Sequence, residues 1–377
     1  MNLFSIPADF NKNTLEKIAL LNDTYALKAR IHEVYGQLSI DNIFGSGRAN
    51  DLLPKVDRAR LKDYVLSLRQ FGLKYNYTLN TTCLGNKEFD KNISKELFEL
   101  LRFLQESDVE IVTVGLPSLI EMIVENDFSF DIKASTVCQV NNANKALAYR
   151  RLGTKTIVLD ESINRDFKTL ASISQAYGDE LELIVNVICH KNCIYEMYHH
   201  NQTSHDCDCH ENRSSVQYYS YKCMQQRVEQ PENLLKLAWI RPEDIHYYSA
   251  IGYKRFKIQG RQAATHGDVL KTTEAYMKQF YHGNFMLLLD CFMPTNSFTV
   301  DLDNERLSSF LQPFAEQKFV CQNNCESCNY CLKYLREHFD IEKINEMFAL
   351  AKEFYSDLSR STLPQAEINI KSADCRN

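Results

Sequence analysis

Four cysteines near the end of the chain have the spacing of a metal-binding group. Cys321, Cys325, Cys328 and Cys331 lie within eleven residues, separated by three, two and two residues. Loops this short can bring thiolate sulfurs to the few-ångström separations that a metal centre requires. Four thiolates suit both a zinc ion and an iron–sulfur cluster, and the spacing does not decide between the two.

A second set of cysteines is expected to meet only in the folded protein. Its members follow predicted strands or lie in the long segment after one of them: Cys83, Cys189, Cys193 and Cys223. Loops after the strands of a parallel barrel converge on one rim, where active sites are built. These four thiols are therefore candidate ligands of a cluster in a barrel mouth, with Cys207 or Cys209 as competitors for the place of Cys83.

The segment after the strand that ends near residue 187 is also rich in histidine. It contains His190, His199, His200, His205 and His210. Histidine can move protons, bind a metal or contact an anion near neutral pH. His190, which adjoins Cys189, is our candidate for a catalytic histidine, and the alternative for each of these histidines is a solvated polar loop.

Two cations mark the end of the last predicted strand. Lys257 and Arg261 lie where barrels often bind an anion, and they are the predicted catalytic residues that hold a carboxylate or phosphate of the substrate. Arg241 is a further candidate for this role. The alternative is that these side chains form ion pairs with Glu243 or Asp244.

The elements that must position these residues alternate in type. Short β-rich runs are predicted at 75–80, 111–115, 130–135, 156–160, 181–187, 237–241 and 255–259, with an earlier strand within 27–35. Helical patterns separate them. Strict alternation indicates a parallel sheet, and about eight such units favour a closed barrel. The predicted fold class is α/β, a (β/α)8 TIM-like barrel with a cysteine-rich C-terminal extension.

The alternation ends near residue 284, which divides the chain into two predicted regions. Residues 1–284 are expected to form the barrel domain, with a Cys/His-rich insertion at about 189–230. Residues 285–377 are expected to form the cysteine-rich extension, with a long terminal helix over 335–358.

The bulk composition lowers the expectation of nucleic-acid or membrane binding. The 377 residues carry a net charge of −6, which leaves no basic footprint. The first ten residues do not resemble a signal peptide, and the most apolar stretch, 285–293, is short and contains Asp290. We therefore expect a cytoplasmic protein, in which thirteen cysteines indicate metal or redox chemistry and not disulfides.

Two runs near the last predicted strand form a recognisable motif, WIRPEDI at 239–245 and GYKRFKIQGR at 252–261. They resemble a pattern of the collagenase-like peptidase family U32, in which a Pro-x-Asp segment leads to Lys-Ile-Glu-Gly-Arg. The runs FDIKAS at 130–135 and IVLDE at 157–161 resemble two further family strands. Gln259 stands where the family usually has glutamate, so an acid–base role at this position is not carried over.

A second family motif, rich in histidine and cysteine, is replaced by LIVNVICHKNC at 183–193. Asn186 and Cys189 occupy the places of the family's histidine and first cysteine, so the chain resembles a divergent branch. Members similar to RNA or ubiquinone-precursor hydroxylation factors carry a [4Fe–4S] cluster and work without molecular oxygen. The resemblance implies that Cys189, Cys193 and Cys223 are cluster ligands, with Cys83 as the candidate fourth.

The first hypothesis is therefore an iron–sulfur enzyme, with one or two [4Fe–4S] clusters, that carries out an oxygen-independent hydroxylation or another redox modification. Its substrate class is open between RNA, a small metabolite and a peptide, and an electron donor or other protein partner is expected. The second hypothesis is a peptide hydrolase, as the family label says, although the chain contains neither a G-x-S-x-G nor an H-E-x-x-H motif. The third is a non-catalytic partner protein braced by zinc at the C-terminal cysteines.

Overall fold

Eight parallel strands close into a barrel in the computed structural model of the chain, which describes residues 1–363 apart from 41, 43, 49, 206–216 and 294–299. The strands are β1 (Asn2–Pro7), β2 (Ala29–Gly36), β3 (Lys74–Leu79), β4 (Ile111–Val114), β5 (Asp131–Ala134), β6 (Thr156–Val158), β7 (Leu181–Ile184) and β8 (Arg255–Lys257). Each strand pairs with the next in sequence, and β8 pairs with β1 through Leu3 and Arg255 to close the ring. The predicted (β/α)8 barrel is therefore confirmed.

Helices follow the strands and cover the outside of the barrel. They are α1 (Asn13–Thr24), α2 (Arg58–Gln70), α3 (Lys91–Glu106), α4 (Pro117–Glu125), α5 (Ala143–Arg151), α6 (Phe167–Tyr177), α7 (Glu196–Ser204), α8 (Tyr218–Arg227), α9 (Asn233–Lys236), α10 (Ile245–Ala250), α11 (Val269–Lys278), α12 (Phe285–Leu289), α13 (Gln312–Ala315), α14 (Cys325–Cys328), α15 (Tyr330–His338) and α16 (Ile341–Ser361). In the part of the chain that the structure describes, none of them is both long and apolar enough to cross a membrane.

Helix α3 illustrates how the local sequence sets these elements. The Asp90 carboxylate accepts hydrogen bonds from the backbone N–H groups of Asn92 and Ile93 and so caps the helix start. Leucines at 97, 100, 101 and 104 recur at helical spacing and are all buried. This apolar face packs into the main core and holds the helix against the barrel.

One strand prediction is wrong, and one strand was overlooked. Residues 237–241 form no strand, because β7 pairs directly with β8 and leaves no place between them. The segment instead crosses the end of β7, where Ala238 N–H donates to the Cys189 carbonyl at 3.0 Å, and its Trp239 is fully buried. A short apolar run is equally compatible with a strand and with irregular buried chain. The missing barrel strand is β1.

The predicted long terminal helix is also interrupted. Helices α15 and α16 meet at Phe339, which has extended backbone angles, and at Asp340. The Asp340 carboxylate accepts from the Lys343 N–H and thereby caps the start of α16. Helix α16 then packs against α8 of the rim insertion, so the C-terminal extension contacts the barrel insertion directly.

The barrel interior is polar and charged. Lys133 on β5 lies between two carboxylates, with its Nζ 2.8 Å from Glu33 Oε2 and 3.1 Å from Glu182 Oε2, and all three side chains are buried. The Asn76 amide donates to Glu33 at 2.7 Å, and the Ser5 hydroxyl donates to Glu182. These bonds tie β1, β2, β3, β5 and β7 together across the interior, where most barrels have branched apolar residues.

The charges of this network sustain one another. Burial, the largest single effect, raises the pKa of the Glu33 carboxyl, but Lys133, His32 and Lys257 together outweigh it and lower that pKa to about 2. Burial lowers the pKa of Lys133, and the attraction of Glu182 and Glu33 raises it by more. The triad is therefore fully ionised at neutral pH, and removal of one member leaves buried charge without compensation.

We predict that Lys133→Met lowers the free energy of unfolding at pH 7 by about 3–5 kcal/mol, because two buried carboxylates lose their counterion. In the wild type, the contribution of Glu33 is present above its unfolded pKa of 4.5 and is lost as the pH falls toward its folded pKa of about 2. Urea unfolding at several pH values measures both effects.

Lys12→Met is the control, since Lys12 pairs with Asp63 on the surface and this pair contributes less than about 1 kcal/mol. Equal losses for the two variants would contradict the prediction.

Candidate functional site

A cavity of about 80 Å³ opens at the carboxyl ends of the barrel strands. We call it the mouth cavity. Charged and polar side chains from several strand ends and rim loops line it, among them Arg48, Glu161, Cys189, His200, Lys257 and Arg261. This is the face on which barrel enzymes carry their active sites.

Lys257, at the end of β8, contributes a buried cation to the mouth cavity. Its Nζ lies 3.6 Å from the centre of the Tyr35 ring and has no hydrogen-bond partner among the described residues. Burial lowers the pKa of Lys257 to about 8, while Glu182 partly opposes this shift. A buried ammonium that lacks a direct partner is suited to an anionic ligand.

Arg261 adds a second cation with only neutral partners. Its Nη1 donates to Thr78 Oγ1 at 2.9 Å and also to the side chains of Gln37 and Ser46. Burial, and after it the nearby Arg48 guanidinium, lowers the pKa of Arg261 to about 10. Arg261 therefore remains charged at neutral pH with its charge directed at the mouth cavity.

Arg241 differs from both of these cations. Its guanidinium lies 3.1 Å from Glu243 and 3.8 Å from Asp244, and its Nε donates to the Asn304 amide oxygen. Of the two interpretations offered by the sequence, the one in which the cation forms ion pairs with Glu243 and Asp244 therefore applies to Arg241. For Lys257 and Arg261, the described part of the chain contains no such carboxylate pair, so both stay available to a ligand.

Glu161 is a mouth residue to which the sequence argument assigned no role. It follows Asp160 immediately after β6 and accepts a hydrogen bond from the Thr136 hydroxyl. Burial raises the pKa of Glu161, and the hydrogen bond from Thr136 opposes the shift. Side-chain carboxyl groups are among the groups that serve as general acids or bases. The sequence could have indicated this residue, because Glu161 lies just after a barrel strand and such residues reach the active-site face of the barrel.

The two departures from the family motifs lie in contact with each other. Gln259 N–H donates to Asn186 Oδ1 at 2.8 Å, and the Gln259 amide donates to the Asn186 carbonyl at 3.0 Å. The resembling family has glutamate and histidine at these two positions, so a titratable pair is replaced here by two neutral amides. This pair joins the ends of β7 and β8, and it cannot carry protons.

Cys223 interacts electrostatically with two other predicted mouth cysteines. Burial raises the pKa of Cys189 well above its usual value, with Glu161 and Cys223 adding to the shift. Burial, the largest cause, and Cys223 likewise raise the pKa of Cys193, whose thiol donates to Gln226 Oε1 at 3.5 Å. Cys223 therefore lies within electrostatic range of both Cys189 and Cys193.

Cys83 lies in the loop after β3, beside the same insertion. Its neighbour Thr82 donates from its backbone N–H to Ser204 Oγ at 2.8 Å and from its hydroxyl to Asn201, both on α7. This loop is therefore docked on the rim insertion that carries the other three cysteines. Cys207 and Cys209, the competing ligands, lie outside the described residues.

The structure places the predicted catalytic histidine away from the mouth cavity. His190 is buried and lines a second cavity, on the other side of its loop. His200 on α7 lines the mouth cavity instead. Burial lowers the pKa of His190 to about 4 and that of His200 to about 3, so both rings are neutral at pH 7. Neither is suited to carry a charge in catalysis.

The C-terminal cysteines surround the second cavity. This cavity has a volume of about 460 Å³, and all four members of the group line it: Cys321, Cys325, Cys328 and Cys331. The aromatic side chains of Phe319 and Tyr330 stack at 4.7 Å beside it and anchor the segment to the core. Among the residues that the structure describes, no three His, Cys, Asp or Glu side chains are arranged to hold a single metal ion.

We predict that Lys257→Met raises the free energy of unfolding at pH 7 by about 3 kcal/mol, because the wild type buries an ammonium whose pKa falls from 10.5 to about 8. The unfolded chain binds more protons than the folded chain between these values. The advantage of the variant is therefore full below pH 8 and shrinks as the pH rises toward 10.5. Urea unfolding from pH 6 to 10 tests this.

Lys155→Met is the matched control, since Lys155 forms an exposed pair with Asp131 and its removal costs less than about 1 kcal/mol. A Lys257 variant less stable than the wild type would show that the ammonium contributes to folding, which would contradict its assignment to a ligand.

Comparison with known proteins places this barrel in a family. The model of peptidase family U32 matches residues 23–284, which include seven of the eight strands and the rim insertion. The chain is 28% identical over 337 residues to an uncharacterized protease of Methanocaldococcus jannaschii, covering 87% of this chain and 96% of that protein. The solved structure of a U32 peptidase superimposes with a TM-score of 0.50 at 17% identity, covering 69% of this chain and 93% of that one, and shows a shared fold. The chain therefore belongs to peptidase family U32.

Proposed function

We propose that the chain is an iron–sulfur-dependent enzyme that modifies an anionic substrate at the mouth cavity by redox chemistry. The observation that carries this proposal is the position of Cys189. Its thiol interacts electrostatically with that of Cys223, and it also lines the cavity that contains Lys257 and Arg261. A cluster held by these thiols would thus adjoin the bound substrate.

The donor set fits such a cofactor. Cysteine thiolates are the usual ligands of iron–sulfur clusters, and Cys83, Cys189, Cys193 and Cys223 would supply four of them. The loop of Cys83 is tied to α7, which joins the ligand segments into one rim structure. When bound, the cluster supplies one-electron transfer, which a chain of ordinary side chains does not offer.

The residues of the chain itself would bind and orient the substrate. Lys257 and Arg261 hold its carboxylate or phosphate, since a buried ammonium and a guanidinium bind anions strongly where water is excluded. Glu161 replaces the predicted His190 as the proton carrier, because its carboxyl group lies in the mouth cavity and has a raised pKa. An oxygen-independent hydroxylation is the specific reaction that we propose. It takes its oxygen from water and releases two protons and two electrons, and an external one-electron acceptor protein would take up the electrons one at a time.

Peptide hydrolysis is the second candidate, because the family and the Methanocaldococcus jannaschii relative are both named for proteolysis. The site offers little support for a cysteine nucleophile. Burial raises the pKa of the Cys189 thiol well above its usual value, whereas nucleophilic cysteines have lowered values. The neutral Asn186–Gln259 pair likewise provides no general base.

We predict that the full chain, purified without oxygen, contains iron with matching acid-labile sulfide. The double variant Cys189→Ser/Cys193→Ser should lose about four iron atoms per chain, because two ligands of one cluster are removed. Metal analysis, sulfide analysis and the visible spectrum measure this. Cys138→Ala is the control, since Cys138 is buried under the rim with its thiol against the Gly115 carbonyl and belongs to neither group.

Two outcomes would contradict the proposal. If the double variant contains as much iron as the wild type, then Cys189 and Cys193 do not hold a cluster. Cleavage of a peptide library by the double variant, at the wild-type rate, would instead favour the hydrolase.

A further inference from the structure

A buried arginine without a carboxylate partner forms part of the second cavity. The Arg165 side chain is only 5% exposed and donates to the backbone carbonyls of Leu235 and Leu237. Its guanidinium also lies 4.6 Å from the ring of Trp239 and 4.9 Å from that of Phe310. Its Nε has no hydrogen-bond partner among the described residues.

Such a charge needs a counterion. Removing a guanidinium from water is costly, and carbonyl groups and aromatic rings offset only part of the cost. In the described part of the chain Arg165 forms no ion pair, and it interacts electrostatically with Cys321 and Cys331, which line the same cavity. Glu229 and Glu232 also line this cavity, and Glu232 forms an ion pair with Lys236. Lys191 also lines the cavity, where its Nζ donates to Asn323 at 3.2 Å. The surroundings therefore favour an anionic occupant bound by the thiols.

The second cavity has room for the larger of the two centres that the cysteine spacing allows. A zinc ion bonds four thiolates directly at about 2.3 Å, whereas an iron–sulfur cluster places four irons and four sulfides between its thiolates. The four cysteines line about 460 Å³ of space, which accommodates such a cluster core.

We propose that the second cavity binds a second [4Fe–4S] cluster, ligated by Cys321, Cys325, Cys328 and Cys331, with Arg165 as its buried countercharge. The four thiolates and the cluster core carry a net negative charge, which the guanidinium neutralises without itself being a ligand. This inference rests on the proposed function, because it extends the same redox chemistry to a second centre. It does not depend on the mouth ligands.

The two centres lie on opposite sides of one loop. Cys189 lines the mouth cavity, whereas the next residues, His190 and Lys191, line the second cavity. Gln226 accepts from the Cys193 thiol and also lines the second cavity. Cys325 and Cys328 are exposed on the outer edge. An external one-electron acceptor protein can reach this edge and oxidise the cluster by one electron, itself becoming reduced by one electron.

Iron counting separates the second centre from the first. In the full chain purified without oxygen, we expect about eight iron and eight sulfide per chain. Cys325→Ser/Cys328→Ser should lower both by about half, and Cys189→Ser/Cys193→Ser should also lower them by about half. Because Cys325 and Cys328 are exposed, their replacement does not disturb the core, and circular dichroism verifies that the variant is folded.

Each outcome of this experiment has a distinct meaning. Zinc in place of iron at the C-terminal group, or iron unchanged in Cys325→Ser/Cys328→Ser, overturns the second cluster while the mouth cluster stands. Iron lost only from the C-terminal variant supports the second cluster and contradicts the proposed function.

The role of Arg165 is tested by the midpoint potential of the cluster that remains in Cys189→Ser/Cys193→Ser. Arg165→Met in this background should shift the potential in the negative direction, because reduction adds negative charge beside a lost cation. Arg165→Lys should bring the potential most of the way back to the wild-type value, and Arg69→Met, which removes the same charge at the surface, should leave the potential unchanged.

If Arg165→Met does not fold, Lys191→Met should give a smaller shift in the same direction. An unchanged potential in a folded Arg165→Met or Lys191→Met variant overturns the countercharge assignment.

Discussion

The ion triad in the barrel interior is the interaction on which the mouth of this protein depends. Lys133 forms ion pairs with both Glu33 and Glu182, so a barrel filled with polar groups remains stable. One ammonium balances only one of the two carboxylates, and the positive charge of Lys257 also lowers the pKa of both. Lys257 lines the mouth cavity at the same time, without a hydrogen-bond partner among the described residues. The position of the triad thus explains both the stability of the interior and the charge of the site.

The rim loop after β7 connects the two cysteine groups physically. Its residues alternate between the mouth cavity and the second cavity, with Cys189 on one side and His190 on the other. Helix α8 of the insertion packs against α16, so the C-terminal extension is attached to the same rim structure.

Membership of peptidase family U32 does not by itself settle the chemistry of this chain. The family motifs around β7 and β8 differ here at Asn186 and Gln259, and these two residues contact each other. The two departures therefore lie at one place in the fold, where this chain has a pair of neutral amides. Glu161, a titratable carboxyl group that lines the mouth cavity, comes from a neighbouring strand end, and burial raises its pKa.

The sequence by itself determined the barrel class, the cysteine groups and the cations Lys257 and Arg261, because strand–helix alternation and side-chain type are local properties. It misassigned the strand at 237–241, since an apolar run does not reveal which neighbour it pairs with. Only the tertiary structure decided the orientation of side chains: His190 faces away from the mouth cavity, while Glu161 faces into it. The countercharge role that we propose for Arg165 likewise depends on contacts between distant segments. The direction of a loop side chain and the absence of an ion pair are set by packing, which no local pattern encodes.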